Sequence, residues 1–209
     1  MTPALYDSLD SLAQGIEEMG HLSPEYWTKM QTKIPPVPCV ERMPWLLQRL
    51  TGKTILHVGA DGPLHPQLLK VCARAYGIDQ AEARYPDYRQ MDIESEELPA
   101  YPDVEVVLLG EVLEHLVSPG VLLWQVREHY PNAEVIITVP NAFSAAGQAW
   151  MRKGWENCNK DHTAWYSYRT LLTLVEKCGY QMQEWYWHTG KPLTAEGIIF
   201  VCQRSVSHG

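Results

Sequence analysis

The stretch from Val104 to Leu123 reads Val-Glu-Val-Val-Leu-Leu-Gly-Glu-Val-Leu-Glu-His-Leu-Val-Ser-Pro-Gly-Val-Leu-Leu, and it decides the fold. Val104–Leu109 is almost continuously apolar and ends at Gly110, the pattern of a strand covered on both faces. Ser118-Pro119 supplies an N-cap residue and a first-turn proline, so a helix begins there and runs to about His129. Between strand and helix lie Glu111, Glu114 and His115. Polar groups just past the carboxyl end of a buried strand are where α/β sheets place their ligands.

Working outward, the same alternation recurs. Thr54–Val58 reads as a strand, Pro66–Ala75 as a helix, Tyr76–Asp79 as a second strand and Tyr88–Met91 as a weak third. On the other side, Glu134–Val139 is a strand, and Ser167 caps a helix that ends at Cys178 with Gly179 at the C′ position. Strands separated by helices imply βαβ units and a parallel sheet. The last two strands, Tyr180–His188 and Ile198–Arg204, have no helix between them and can pair antiparallel. Residues 1–50 read as a helical cap. Leu5, Leu9, Leu12, Ile16 and Met19 recur at helical spacing, Ser23-Pro24 opens a further segment, Ile34–Pro38 is an extended connector, and Glu41–Leu50 is a helix. Residues 51–209 form the sheet domain.

The chain has 209 residues, enough to bury one real core. Its net charge is -8 and no Lys/Arg cluster appears, which disfavours a broad nucleic-acid footprint. Five cysteines at wide spacing, without a C-x-x-C pair, read as reduced thiols rather than a disulfide framework, and so as a cytoplasmic protein. The N-terminus does not read as a signal peptide, and no apolar run reaches membrane-spanning length. No membrane is expected as a partner.

The first strand runs into Val58-Gly59-Ala60-Asp61-Gly62-Pro63. A glycine turn between a first strand and a first helix lets backbone approach a ligand closely. This is not G-x-G-x-x-G, so a dinucleotide is not favoured. Asp79 ends the second strand about 20 residues past Gly59, the offset of an acid that accepts hydrogen bonds from both hydroxyls of a ribose. Asp92 and Ile93 follow the third strand, where an acid and an apolar side chain suit an adenine.

The Val104–Leu123 segment, with its Glu111-Val-Leu-Glu-His115 core, closely resembles the fourth-strand signature of class I S-adenosylmethionine-dependent methyltransferases. Val135–Asn141, ending Pro140-Asn141, resembles that branch's fifth strand. Asp161-His162-Thr163-Ala164-Trp165-Tyr166-Ser167 resembles the entry to its last helix, and Cys178-Gly179-Tyr180 its exit. The resemblance covers roughly residues 51–204. It implies an α/β, Rossmann-like methyltransferase fold with helices on both faces. The sheet would have seven strands in the order 3-2-1-4-5-7-6, mostly parallel, with strand 7 antiparallel. It implies S-adenosylmethionine as cofactor. Gly59, Ala60 and Gly62 would border its methionine part, Asp79 its ribose, Asp92 and Ile93 its adenine, and Gly110 and Glu111 the methyl-bearing sulfonium.

The first turn departs from the family's Asp-x-Gly-x-Gly-x-Gly. His57 replaces the acid, Asp61 the second glycine and Pro63 the third. Methyl transfer to a hydroxyl of a small-molecule acceptor benefits from a base, and His115 and His162 are the catalytic candidates. Both also fit structural roles, at the turn after the fourth strand and at the approach to the last helix. Glu111, Glu114 and His115 fall on one face of a helical turn and, with His162, form an O/N donor set suited to a divalent ion. That set resembles the small-RNA 2′-O-methyltransferases of the Hen type. Many relatives with the motif need no metal, so none is assigned. A non-catalytic module on the same scaffold is the third reading, motivated by the altered turn. The long Asn141–Lys160 segment, with Trp150 and Trp155, reads as a lid over the acceptor.

Overall fold

The structure is a computed structural model that describes residues 31–82 and 85–205. The expected helices before residue 31 lie outside the described residues. The remainder, from Pro36 on, forms one compact unit.

A short strand, β1 (Cys39–Val40), precedes helix α1 (Arg42–Leu50). The βα alternation then runs β2 (Thr54–Val58), α2 (His65–Val71), β3 (Arg74–Asp79), β4 (Tyr88–Gln90) and β5 (Val106–Gly110). A 3-10 turn at Leu113–His115 leads to α3 (Pro119–His129), β6 (Glu134–Pro140), α4 (Ala145–Met151), α5 (Tyr168–Lys177), β7 (Tyr180–His188) and β8 (Gly197–Arg204).

Among the described residues, one sheet contains all the strands in the order β1-β7-β8-β6-β5-β2-β3-β4. Only β8 runs antiparallel to its neighbours, β6 and β7. Seven of these strands follow the implied order. The eighth corrects the expected count: Cys39–Val40 adds to the β7 edge, parallel, pairing Cys39 with Trp187 and Val40 with His188. Two residues between a proline-rich connector and a helix carry no alternation from which a strand can be read.

The period-2 alternation of strands assigns the two faces. Ile55, Val106, Leu108, Ile136, Ile199 and Val201 pack with Leu46 and Leu50 of α1 and Leu68 of α2. Phe200, one residue out of phase, meets Tyr168 of α5 at 5.8 Å between ring centroids. Leu46 and Leu50 are fully buried, each worth roughly 1.5–3 kcal/mol. Arg49 adds a two-point contact to Glu134 of β6, at 3.1 and 2.7 Å. Helix α1 is thus part of the sheet domain's core.

Three local expectations change. Helix α2 ends at Val71 rather than Ala75, because Cys72 turns extended and the N–H groups of Ala73 and Arg74 donate to the Lys53 carbonyl. Ser118 does not cap α3 with its side chain. Glu94 does it instead, its Oε1 accepting from the N–H groups of Val117 and Ser118. The long Asn141–Lys160 segment contains α4, whose Ser144 hydroxyl caps the Gly147 N–H and none of whose residues is buried. Ser167, by contrast, caps its helix as expected, in a capping box with Thr170, and Gly179 sits at φ +80°.

Candidate active site

A cleft of about 390 Å³ opens over the carboxyl ends of β2, β3 and β5. Its floor is the β2–α2 turn. Gly59 adopts φ +82°, and a Cβ there would fall 2.5 Å from Val112 Cγ2, so both the backbone and the space demand glycine. The N–H groups of Gly59 and Ala60 both donate to the Ile78 carbonyl. Gly62 also lines the cleft, yet a Cβ there would meet no protein atom within 4 Å. The protein's own packing does not require glycine at 62; a ligand lying against the turn would.

Asp79 closes the end of β3. Its Oδ2 accepts from the Asp61 N–H at 3.3 Å and its Oδ1 from the Ala81 N–H at 2.9 Å. Each oxygen keeps a free lone pair, and the side chain faces the cleft. Asp92 and Ile93 line the same space. The Asp92 carboxylate accepts from the Glu94 N–H and the Ser95 hydroxyl, which hold its pKa below the usual carboxylate range. Gly110 and Glu111 form the wall at the end of β5. Of the expected cofactor residues, only Ala60 is absent from the lining: it is fully buried beneath the turn.

Glu111 is held unusually firmly. Its backbone is left-handed at φ 58°, a conformation costing a non-glycine residue about 1 kcal/mol or more. Its N–H donates to the Thr138 carbonyl at 3.0 Å, and its Oε1 accepts from Thr138 Oγ1 at 2.8 Å. Arg42 of α1 pairs with the same oxygen at 2.8 Å. Arg42 and Met43 both line the cleft, a contribution of the N-terminal region invisible in any local motif.

His57, at the family's acid position, is buried against His65 with Nδ1···Nδ1 at 3.2 Å. Burial, then the neighbouring His65 and Arg42, lower its pKa to about 3, so it is neutral.

His115 lines the cleft too, and beyond it lies His162, with ring centroids 4.5 Å apart in an edge-to-face arrangement. His162 does not line the cleft itself. Burial, then His115, lower its pKa. Backbone ties explain its position: the N–H groups of Thr163 and Ala164 donate to the Glu114 carbonyl, and Thr163 Oγ1 to the Leu116 carbonyl at 2.6 Å. Glu114 is 1 % exposed, and neither carboxylate oxygen has a hydrogen-bond partner. Burial, then the charge of Glu111, push its pKa up to about 8.

Donor atoms of Glu114, His115 and His162 lie within 4.8 Å of one another. This donor set suits a divalent ion, and an unpartnered buried carboxylate is what such an ion would satisfy. Glu111 is not part of the cluster. Of the four candidate donors, Glu114, His115 and His162 come together, while the left-handed turn hands Glu111 to Arg42 and Thr138.

A mostly parallel sheet whose crevice joins a glycine turn, a strand-end acid and an acid-imidazole wall has the architecture of a domain that binds a nucleoside-type cofactor. The family follows from comparison with known proteins. A family model described as a methyltransferase domain matches residues 26–184, so the chain belongs to the class I S-adenosylmethionine-dependent methyltransferases, with S-adenosylmethionine as cofactor. No curated protein sequence matches. Among solved structures, the small RNA methyltransferase HEN1 is similar at TM-score 0.64 and 15% identity, over 85% of this chain and 27% of that one. The chain therefore spans about a quarter of that protein's length. Magnesium protoporphyrin IX methyltransferase from Synechocystis, with bound S-adenosylhomocysteine, gives 0.54 and 15%, over 78% and 80%. The 1,6-didemethyltoxoflavin N1-methyltransferase of Burkholderia thailandensis gives 0.58 and 12%, over 78% of each chain. At these identities the likeness is one of fold.

Proposed function

We propose that the protein methylates a hydroxyl oxygen of a small-molecule acceptor. The observation that carries this reading is His115, which lines the cofactor cleft and packs edge-to-face against His162. Bound S-adenosylmethionine supplies a methyl group on a sulfonium leaving group. Asp79 holds the ribose, while Gly59 and Gly62 let the backbone lie against the methionine part. His115 takes the hydroxyl proton as the acceptor oxygen bonds to the methyl carbon and the carbon–sulfur bond breaks. S-adenosylhomocysteine and the methyl ether are the products. The Asn141–Lys160 segment closes the acceptor side. It is anchored there through Ala142, whose N–H donates to the Tyr166 carbonyl, and Tyr166, whose hydroxyl donates to the Leu113 carbonyl.

A second reading, a metal-dependent ribose 2′-O-methyltransferase acting on RNA, is favoured by the unpartnered Glu114 carboxylate beside the two imidazoles. Glu114, His115 and His162 would hold the ion, which would acidify a hydroxyl. The net charge of -8 weighs against an RNA partner.

Calorimetric titration with S-adenosylmethionine, followed by transfer assays on hydroxylated small molecules and on RNA with and without EDTA, separates the readings. Transfer to a small molecule that survives EDTA supports the first. Loss with EDTA, restored by Mn²⁺ or Mg²⁺ and confined to RNA, replaces it with the second. A wild-type protein that binds no cofactor is a non-catalytic module on this scaffold.

A further inference from the structure

We propose that Asp61 faces the sulfonium of the bound donor, and that its carboxylate makes the cleft prefer S-adenosylmethionine over the uncharged thioether product, S-adenosylhomocysteine. The proposal rests on the reading of the cleft as the donor site.

Asp61 stands where the family pattern has glycine and lines the cleft. Its side chain was not required to build the turn, since its backbone N–H alone makes the turn's bond to Asp79. The other cleft carboxylates are engaged. Asp79 caps its own loop, Asp92 accepts from Glu94 and Ser95, Glu94 caps α3, and Glu111 is paired with Arg42. Asp61 accepts no hydrogen bond from another residue among those described. Arg42, the one Lys or Arg in the lining among the described residues, is spent on Glu111, and His57 is neutral.

Position supports the same reading. Asp61 adjoins Asp79, whose Oδ2 accepts its N–H at 3.3 Å, and lines the same cleft as His115. Asp79 marks the ribose end and His115 the acceptor end, and the sulfonium must lie between the two for transfer to occur. The family's strand-end carboxylate is missing at His57, and a carboxylate returns at Asp61, deeper along the turn. The donor differs from the product only by one methyl group and the positive charge that this group places on sulfur. An unpaired carboxylate in a partly desolvated cleft therefore acts on their difference. The consequence is weak product inhibition.

The test is calorimetric titration of wild-type, Asp61→Asn and Asp61→Gly proteins with S-adenosylmethionine, S-adenosylhomocysteine and sinefungin, a sulfur-free analogue with an ammonium near the sulfonium position. Thermal melting verifies that each variant is folded. Wild type should bind S-adenosylmethionine and sinefungin about tenfold more tightly than S-adenosylhomocysteine, a difference of about 1.4 kcal/mol. Both variants should bring the ratio close to one, and added salt should narrow it in wild type alone. A wild-type ratio near one, or a ratio unchanged in both variants, overturns the proposal while the donor site stands. If wild type binds none of the three, the donor reading fails and this inference fails with it.

Discussion

The two ends of the cleft are built differently. At the cofactor end, the geometry is made by main chain. Two N–H groups converge on the Ile78 carbonyl, two more on the Asp79 carboxylate, and Gly59 is fixed by its φ and by Val112. At the acceptor end it is made by side chains on connections. His115 is the last residue of a 3-10 turn, His162 sits in a loop, and the flanking segment exposes Phe143, Trp150, Met151 and Trp155. A cofactor common to a whole family can be met by strand ends and backbone. An acceptor that differs from enzyme to enzyme is met by what is attached to them.

The contrast predicts opposite phenotypes for two single substitutions. His115→Ala should lower turnover by about 10²–10⁴-fold, the usual contribution of a general base, and leave S-adenosylmethionine affinity nearly unchanged. Asp79→Ala should weaken that affinity by about 10- to 100-fold, because it removes both the proposed ribose contact and the acceptor for the Asp61 and Ala81 N–H groups. Calorimetry and single-turnover rates on both variants read the two effects separately. If His115→Ala loses cofactor affinity as well, the two ends are one unit.

The next effect sharpens the description of the cofactor end. Gly59→Ala places a methyl at φ +82° and drives it toward Val112. The backbone alone costs about 1–3 kcal/mol, and relief of the clash must move either the turn or the Val112 segment that carries the β5 wall. The variant should melt several degrees lower and bind cofactor poorly. Gly62→Ala is its control: with open space around the position it should melt like wild type and show only the cofactor defect. Equal melting of all three proteins would mean that the turn is softer than its hydrogen bonds suggest.

What could be read in the sequence tracks this same division. The apolar runs of β2, β5 and β6 are buried on both faces, so composition alone gave their place. The places of Asp79 and Gly59 in the cleft were legible because they depend on neighbours within a few residues or on a fixed offset. Arg42 was not legible, because its partner Glu111 is brought to it only by tertiary folding. The placing of Glu111 was not legible for the same reason: helical spacing puts it beside Glu114 and His115, whereas a left-handed residue turns it toward Thr138. Strand β1 is too short to show a period, and α4 buries nothing, so no apolar stripe announces it.

The smallest effect expected is at the aromatic rim, and it tests whether the exposed side chains serve the acceptor at all. Trp155 is 67% exposed and Trp150 45%, with the Lys153 ammonium 4.9 Å from the Trp150 ring centroid. Side chains this open contribute little to folding, so Trp150→Ala and Trp155→Ala should shift stability by no more than about 0.5 kcal/mol. Rings that only rest on the surface would leave the kinetics equally untouched. Rings that close over an acceptor would raise its KM several-fold while the affinity for S-adenosylmethionine stays constant, since removing binding that is uniform along the reaction changes KM and not kcat. A raised KM in either variant assigns α4 and its flanks to the acceptor. An unchanged KM in both leaves the acceptor to be held by the His115–His162 wall alone, and the lid assignment falls.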